Sequence, residues 1–213
     1  KAVGMRIIGG KYRGKSIVPP QGYKARPTTD FAKEGLFNIL NNEYEMEGLQ
    51  VLDLFGGTGA ISYEFASRGA SRVYCVEMLP LHANFIKSQA AKFGMDNLTV
   101  VRHNVFEFLE ICREKFDIIF ADPPYFLSSG GVSCHSGKQV SVNKAEWDKS
   151  ITIEEKIKFN RKWIRLCKEV LKDDGTIWIS GTFHNIYVIG MALELEGFSI
   201  INNIISFKAL LTI

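Results

Sequence analysis

From residue 51 onward the chain alternates short apolar runs with stretches of helical periodicity, and this alternation constrains the fold more than any other feature. Strands are expected over 51–55, 72–77, 99–102, 116–121 and 176–180. Helices are expected over 61–67, 80–93, 105–113, 154–171 and 186–195, with Pro80 suited to a first turn. A long last strand is expected over 198–207, and the Gly-, Ser- and Asn-rich stretch 126–153 reads as a long loop. Strands this apolar are covered on both faces, so the class is α/β with a mostly parallel sheet.

Ahead of this region, residues 5–8 and 15–18 carry β-branched side chains separated by Gly9, Gly10 and Gly14, which predicts a small N-terminal β-hairpin. Pro19-Pro20 ends it. Thr28, Thr29 and Asp30 then offer N-cap chemistry to a helix with Phe31, Leu36, Phe37, Ile39 and Leu40 on its apolar side. Two parts are expected: a hairpin arm over 1–26 and one domain over 27–213. The arm holds Lys1, Arg6, Lys11, Arg13, Lys15, Lys24 and Arg26 and no acidic residue, so the remainder is net acidic although the whole chain is +3. A basic arm on an acidic body points to a polyanion, with Arg6, Lys11, Arg13 and Lys15 as candidate nucleic-acid contacts; a solvated tail is the alternative.

Cys75, Cys112, Cys134 and Cys167 form no CxxC pair, the start is polar and basic, and no apolar run reaches spanning length. A reduced, cytoplasmic protein is expected, monomeric by default. His103, Cys112, Cys134 and His135 lack the spacing of a zinc site, and no metal is expected.

The segment Asp53-Leu54-Phe55-Gly56-Gly57-Thr58-Gly59 joins the first of these strands to its helix. Its glycines permit a tight turn and close backbone approach to a ligand, at the strand end where open α/β sheets bind ligands. A nicotinamide dinucleotide fingerprint needs a third glycine, but Ala60-Ile61-Ser62 follows. The acidic Asp53 before the glycines instead suits S-adenosylmethionine, whose sulfonium and amino-acid end a carboxylate can accompany. Glu77 ends the next strand, where a carboxylate can accept from both ribose hydroxyls; Asn104 ends the third, where an amide can pair with an adenine edge. With their neighbours Met78 and Val105 they form a cofactor row. A plain structural turn is the alternative.

Asp122-Pro123-Pro124-Tyr125 follows the strand over 116–121. An exocyclic amine on guanine or adenine is a poor nucleophile because its lone pair is delocalised. The Asp122 carboxylate and the Pro123 carbonyl can each accept a hydrogen bond from it, which favours a tetrahedral nitrogen with its lone pair aimed at a methyl donor. The prolines, Pro123 and Pro124, preset the backbone. Tyr125 can stack on the base, worth roughly 1–3 kcal/mol, once the base has left its own stack. His184, Lys138 and Lys144 are weaker candidates for substrate contact, and Trp163 and Trp178 read as core.

These motifs carry a resemblance. Met5-Arg6-Ile7-Ile8-Gly9-Gly10-Lys11-Tyr12-Arg13-Gly14, then Arg26-Pro27-Thr28-Thr29-Asp30, residues 34–38, the 53–59 loop and Asp122–Tyr125 resemble the bacterial 16S ribosomal RNA guanine-N2 methyltransferase family. The resemblance implies a Rossmann-like, class I S-adenosylmethionine-dependent methyltransferase fold and a basic hairpin for RNA. It also implies that Arg26, Thr28 and Thr29 pack near the cofactor. From Asp122 to Lys208 the chain resembles adenine-N6 DNA methyltransferases of restriction systems, through Val140-Ser141-Val142-Asn143-Lys144, Trp147-Asp148 and residues 175–185. The two resemblances meet at the shared Asp-Pro-Pro-Tyr, the pattern expected of a hybrid sequence. The expected function is amino-group methylation of a nucleic-acid base, guanine N2 of ribosomal RNA first and adenine N6 of DNA second, with an RNA binder that has lost catalysis as the reading from another class.

Overall fold

The computed structural model describes residues 4–20, 23, 28–126, 132–135, 138–141 and 151–204. Its centre is a five-stranded, wholly parallel sheet built from β3 (Gln50–Leu54), β4 (Arg72–Val76), β5 (Leu98–Val101), β6 (Phe116–Ala121) and β9 (Leu171–Ile179), in the order β5-β4-β3-β6-β9. The intervening helices are α1 (Asp30–Glu43), α2 (Ala60–Ser67), α3 (Pro80–Phe93), α4 (Val105–Ile111), α5 (Ile153–Val170) and α6 (Ile186–Leu195). Successive strand residues serve opposite faces. Val51, Val73, Ile118 and Phe120 join a core with Phe37 of α1, Phe65 of α2 and Ile86 of α3. Leu52, Leu54, Ile119 and Ala121 join the other with Leu109 of α4, Trp163 and Ile164 of α5 and Ala192 of α6. The Rossmann-like α/β architecture is therefore as the alternation predicts. No described helix is long and apolar enough to cross a membrane.

The N-terminal hairpin pairs β1 (Met5–Arg6) antiparallel with β2 (Ser16–Ile17). It is bound to α2 rather than hanging free. The Lys11 amide donates to Ser67 O at 2.7 Å, the Tyr12 amide to Ser67 Oγ at 2.9 Å, and Ser67 Oγ to Gly9 O at 2.5 Å. A Cβ on Gly10 (φ +71°) would lie 1.9 Å from Ser67 O, so only glycine allows this approach. Beneath the hairpin sits a buried charge cluster. Glu64 of α2 accepts from the Ile8 amide at 2.8 Å and from Lys33 Nζ at 3.1 Å, and pairs with Arg68; Lys33 also reaches Arg6 O and Asp30.

Several expected boundaries shift. Helix α5 starts at Ile153 because Thr152 and Glu155 form a capping box. It ends at Val170, since Leu171 already pairs with Phe116. Register then breaks before Ile118 pairs with Thr176, and a Cβ on Gly175 would lie 2.9 Å from Phe116 O. The loop expected over 126–153 contains an antiparallel hairpin, β7 (Val132–His135) with β8 (Lys138–Ser141), flanking the turn-prone pair Ser136-Gly137. The strand expected over 198–207 is a correction: residues 198–204 form no strand, and 205–207 lie outside the described residues. Its isoleucines have strand propensity, but propensity describes what fits a sheet and supplies no partner; Ile200, Ile201 and Ile204 are exposed.

The charge cluster yields a stability prediction. Glu64→Ala leaves Lys33, 1% exposed, without its buried carboxylate. Removing one partner of a buried pair costs about 3–5 kcal/mol. Urea unfolding should report a loss of that size. A change under ~1 kcal/mol would mean that the cluster does not anchor the arm.

Candidate active site

Two loops leave neighbouring strands at one edge of the sheet. Leu54 of β3 is registered with Ala121 of β6, and the Asp122 amide donates to Leu54 O at 3.4 Å. The glycine loop and the Asp-Pro-Pro-Tyr loop therefore begin side by side. Strand order also changes direction here, with β4 and β5 on one side of β3 and β6 and β9 on the other. That is the crevice in which open α/β sheets receive ligands.

The glycine loop is held in a strained, close-lying turn. Phe55 has φ 63°, uncommon for a bulky residue, and its ring packs edge-on against Trp163 at 5.9 Å. The Phe55 side chain thus anchors the turn in the core, leaving its backbone to shape the loop. A Cβ on Gly56 would lie 2.3 Å from Cys75 Sγ, and the Gly56 amide donates to Val76 O at 2.9 Å. Gly57 (φ 55°) and Gly59 (φ 77°) complete the turn, with Thr58 buried between them and Gly59 as N-cap of α2.

The strand-end carboxylates are treated differently. Asp53 is buried, and its Oδ2 accepts from Ser62 Oγ at 2.5 Å. Ser62 occupies the position where a dinucleotide fingerprint has its third glycine, which gives that departure a purpose. Burial pushes the Asp53 carboxyl up to about 7; the Ser62 hydrogen bond opposes this, and the Asp122 and Glu77 charges add to it. Glu77 accepts from the Gly57 amide at 2.8 Å through Oε2 and from the Leu79 amide at 2.7 Å through Oε1. Burial raises its pKa, and the backbone N–H groups of Leu79, Gly57 and Met78 counter that rise. Glu77 thus fastens the glycine loop while retaining acceptor capacity on both oxygens.

Asn104 is the N-cap of α4. Its Oδ1 accepts from the Phe106 amide at 2.9 Å, and its Nδ2 lies 3.8 Å from Met78 Sδ. Val105 is buried, and Met78 is exposed beside this row. Thr29 caps α1 by accepting from the Ala32 amide at 3.2 Å, and Thr28 is half-buried. Arg26 lies outside the described residues, as do Lys1, Lys24, Pro27, the Lys144 and Trp147-Asp148 stretch and the side chains of Cys134, His135 and Lys138.

In the second loop, Asp122 is exposed, Pro123 is buried, and Pro124 and Tyr125 are half-buried. Tyr125 Oη donates to Asp122 Oδ1 at 2.5 Å, and Ser180 Oγ donates to the same oxygen. The edge thus presents an oriented carboxylate beside a close-lying backbone turn, an arrangement able to accept hydrogen bonds from an amine.

The arm residues stand apart from this edge. Arg6 Nε binds Asp30 Oδ2 at 2.7 Å, Lys11 Nζ lies 5.2 Å from the Tyr12 ring centroid, and Arg13 and Lys15 are exposed. Sequence reasoning missed Ser62, Ser180, Tyr23 and His82. Tyr23 Oη donates to Gly57 O at 2.8 Å, and its ring stacks on His82 at 4.0 Å. Burial lowers the His82 pKa and raises that of Tyr23. Only the suspicious Asp53–Ser62 spacing carried a readable signal for any of the four.

Two family models match the chain: conserved hypothetical protein 95 over residues 5–136, and DNA methylase over residues 116–210. Type II methyltransferase M2.DpnII of Streptococcus pneumoniae is 58% identical over 113 residues, 53% of this chain and 42% of that protein. Ribosomal RNA small subunit methyltransferase D of Buchnera aphidicola is 35% identical over 125 residues, 59% of this chain and 63% of that protein. The chain therefore spans less than two thirds of the length of these curated relatives. The solved structure of yhhF from Escherichia coli, a methyltransferase by assignment, superposes with a TM-score of 0.56 at 26% identity, covering 84% of this chain and 76% of that one.

The raised Asp53 pKa sets a pH dependence. Its ordinary value is 3.8, so between that value and about 7 the folded chain holds a proton that the unfolded chain has released. The stability this contributes is complete below 3.8 and is lost as pH rises through about 7. Asp53→Asn should flatten the decline by ~1.4 kcal/mol per pH unit within that window, measured by urea unfolding at a series of pH values. Parallel profiles for the two proteins would refute it.

Proposed function

Because the chain belongs to the conserved hypothetical protein 95 family, we propose that it is an S-adenosylmethionine-dependent methyltransferase acting on an exocyclic amino group of a nucleic-acid base, foremost guanine N2 of 16S ribosomal RNA. The observation that carries this reading is the bond from the Asp122 amide to Leu54 O, which sets an amine-accepting loop against a cofactor-type loop. When bound, the cofactor supplies an electrophilic methyl group. The residues fit it: the strained backbone of Phe55, Gly56, Gly57, Thr58 and Gly59 permits close approach, Glu77 retains lone pairs for ribose hydroxyls, and Asn104, Met78 and Val105 border the same row. Asp53 supplies a nearby carboxylate whose ionisation a cationic ligand favours. Tyr23 reaches this loop from the segment that precedes Arg26, Thr28 and Thr29, in keeping with a cofactor role for that segment.

On the substrate side, Asp122 accepts a hydrogen bond from the amine, the Pro123 carbonyl accepts a second, and the Tyr125 ring offers a stacking face. Rate enhancement comes chiefly from orientation and from acceptors placed in advance. Lys11, Arg13, Lys15 and Arg6 provide phosphate contacts on the arm, and the single negative partner of Arg6, Asp30, leaves that side chain exposed. A second reading, adenine N6 in DNA, is favoured by the DNA methylase match over 116–210 and the 58% identity to M2.DpnII. Both bases offer an amine to the same two acceptors, so the pocket chemistry is common to them.

Incubation with labelled S-adenosylmethionine and ribosomal RNA, assembled small subunits or DNA, followed by nucleoside analysis, tests the reading. Labelled 2-methylguanosine is expected; 6-methyladenine would select the second reading, and no label in any nucleic acid would overturn both. Asp122→Ala should reduce transfer at least about a hundredfold while cofactor affinity, measured by calorimetry, stays within a few-fold of the original.

A further inference from the structure

We propose that Ser180 is a positioning residue that orients the Asp122 carboxylate for its substrate; this rests on the methyltransferase reading above. Two hydroxyls converge on one carboxylate oxygen. Ser180 Oγ and Tyr125 Oη both donate to Asp122 Oδ1, and the two hydroxyl oxygens lie 3.4 Å apart. Each hydroxyl has one proton, so both protons are committed to Oδ1. Among the described residues no hydrogen bond reaches Oδ2, and Asp122 is exposed. The carboxylate is thereby turned so that Oδ1 faces the protein and Oδ2 faces the open edge, where an amine can donate to it. An unbraced aspartate on an exposed loop rotates freely about its terminal torsion. A braced one presents its acceptor without reorganising when the amine arrives.

Ser180 is suited to this because it is fixed on both sides. Its amide donates to Ala121 O at 2.9 Å, extending the β6–β9 register (Ala121 with Ile179) by one residue. After it, residues 181–185 form a turn stitched by Asn185, which is buried and accepts from the Thr182 amide at 2.8 Å through Oδ1. A Cβ on Gly181 would lie 3.0 Å from that same oxygen. The brace therefore comes from a different strand than the residue it orients, linking the ends of β6 and β9 through side chains as well as backbone.

The test is Ser180→Ala assayed with the full chain. Hydrogen bonds to charged groups are strong enough that kcat should fall about tenfold to a hundredfold, with cofactor affinity and melting temperature unchanged. Ser180→Thr, which keeps the hydroxyl, should recover most of the rate. Unchanged kcat in Ser180→Ala overturns the inference, and so does a loss that Ser180→Thr fails to recover while thermal stability falls in parallel, since that is a packing defect. A wild-type chain that transfers no methyl group to any nucleic acid overturns the underlying reading instead, a result distinct from a working wild type with an indifferent Ser180.

Discussion

The parallel pairing of β3 with β6 is the constraint on which the rest of the site depends. It places two chemically unlike loops at the same edge, although their residues are separated by two complete strand–helix units. A slip of one residue in that register would turn Leu54 and Ala121 to the wrong face, because side chains alternate along a strand. The apolar cores on both faces of the sheet forbid such a slip, since Val51 and Leu52 belong to different cores, as do Ile118 and Ile119. Hydrophobic packing far from any ligand thus sets the relative position of the glycines and the aspartate.

Three carboxylates stand at the ends of adjacent strands, and burial decides what each can do. Asp53 is enclosed with a single hydroxyl partner, so its charge is expensive near neutral pH and its proton is poised to leave for a cation. Glu77 is also buried, but backbone N–H groups offset the cost and make it a latch for the loop. Asp122 is exposed and oriented by two hydroxyls, which leaves an oxygen for an incoming donor. One residue chemistry in three degrees of solvation provides charge balance, loop fixation and substrate acceptance.

Much of this was legible in the sequence wherever local chemistry settled the outcome. Helix α3 spans 80–93 as expected because Pro80 suits its first turn and Gly94 closes it in the left-handed region (φ 66°). β6 and α6 likewise coincide with their expected ranges. The five-stranded order places the two recognised motifs together, as their chemistry requires. What was illegible depends on partners distant in the chain. Ser180 meets Asp122 across 58 positions, and Tyr23 meets Gly57 across 34. A serine at a strand end and a tyrosine between prolines and a basic run carry no periodicity that marks them. The unrealised strand over 198–204 is the converse case, where local propensity was strong and a pairing partner was missing among the described residues.

The two family models overlap over residues 116–136, a stretch that contains β6 and the Asp-Pro-Pro-Tyr loop. The topology explains how a change of family there is compatible with one sheet. β9 pairs with β6 alone, so everything beyond the motif docks through one strand register and the contact of α5 with α4. The glycine loop, Asp53 and Glu77 lie on the other side of β6 and need only that strand in place. β6 is thus the seam of both the sheet and the sequence. The Ser180–Asp122 bond is a side-chain link across that seam, joining a residue matched only by the DNA methylase model to one that both models share. A hybrid of this kind keeps its amine-accepting edge provided that the second half brings its own hydroxyl to the end of β9.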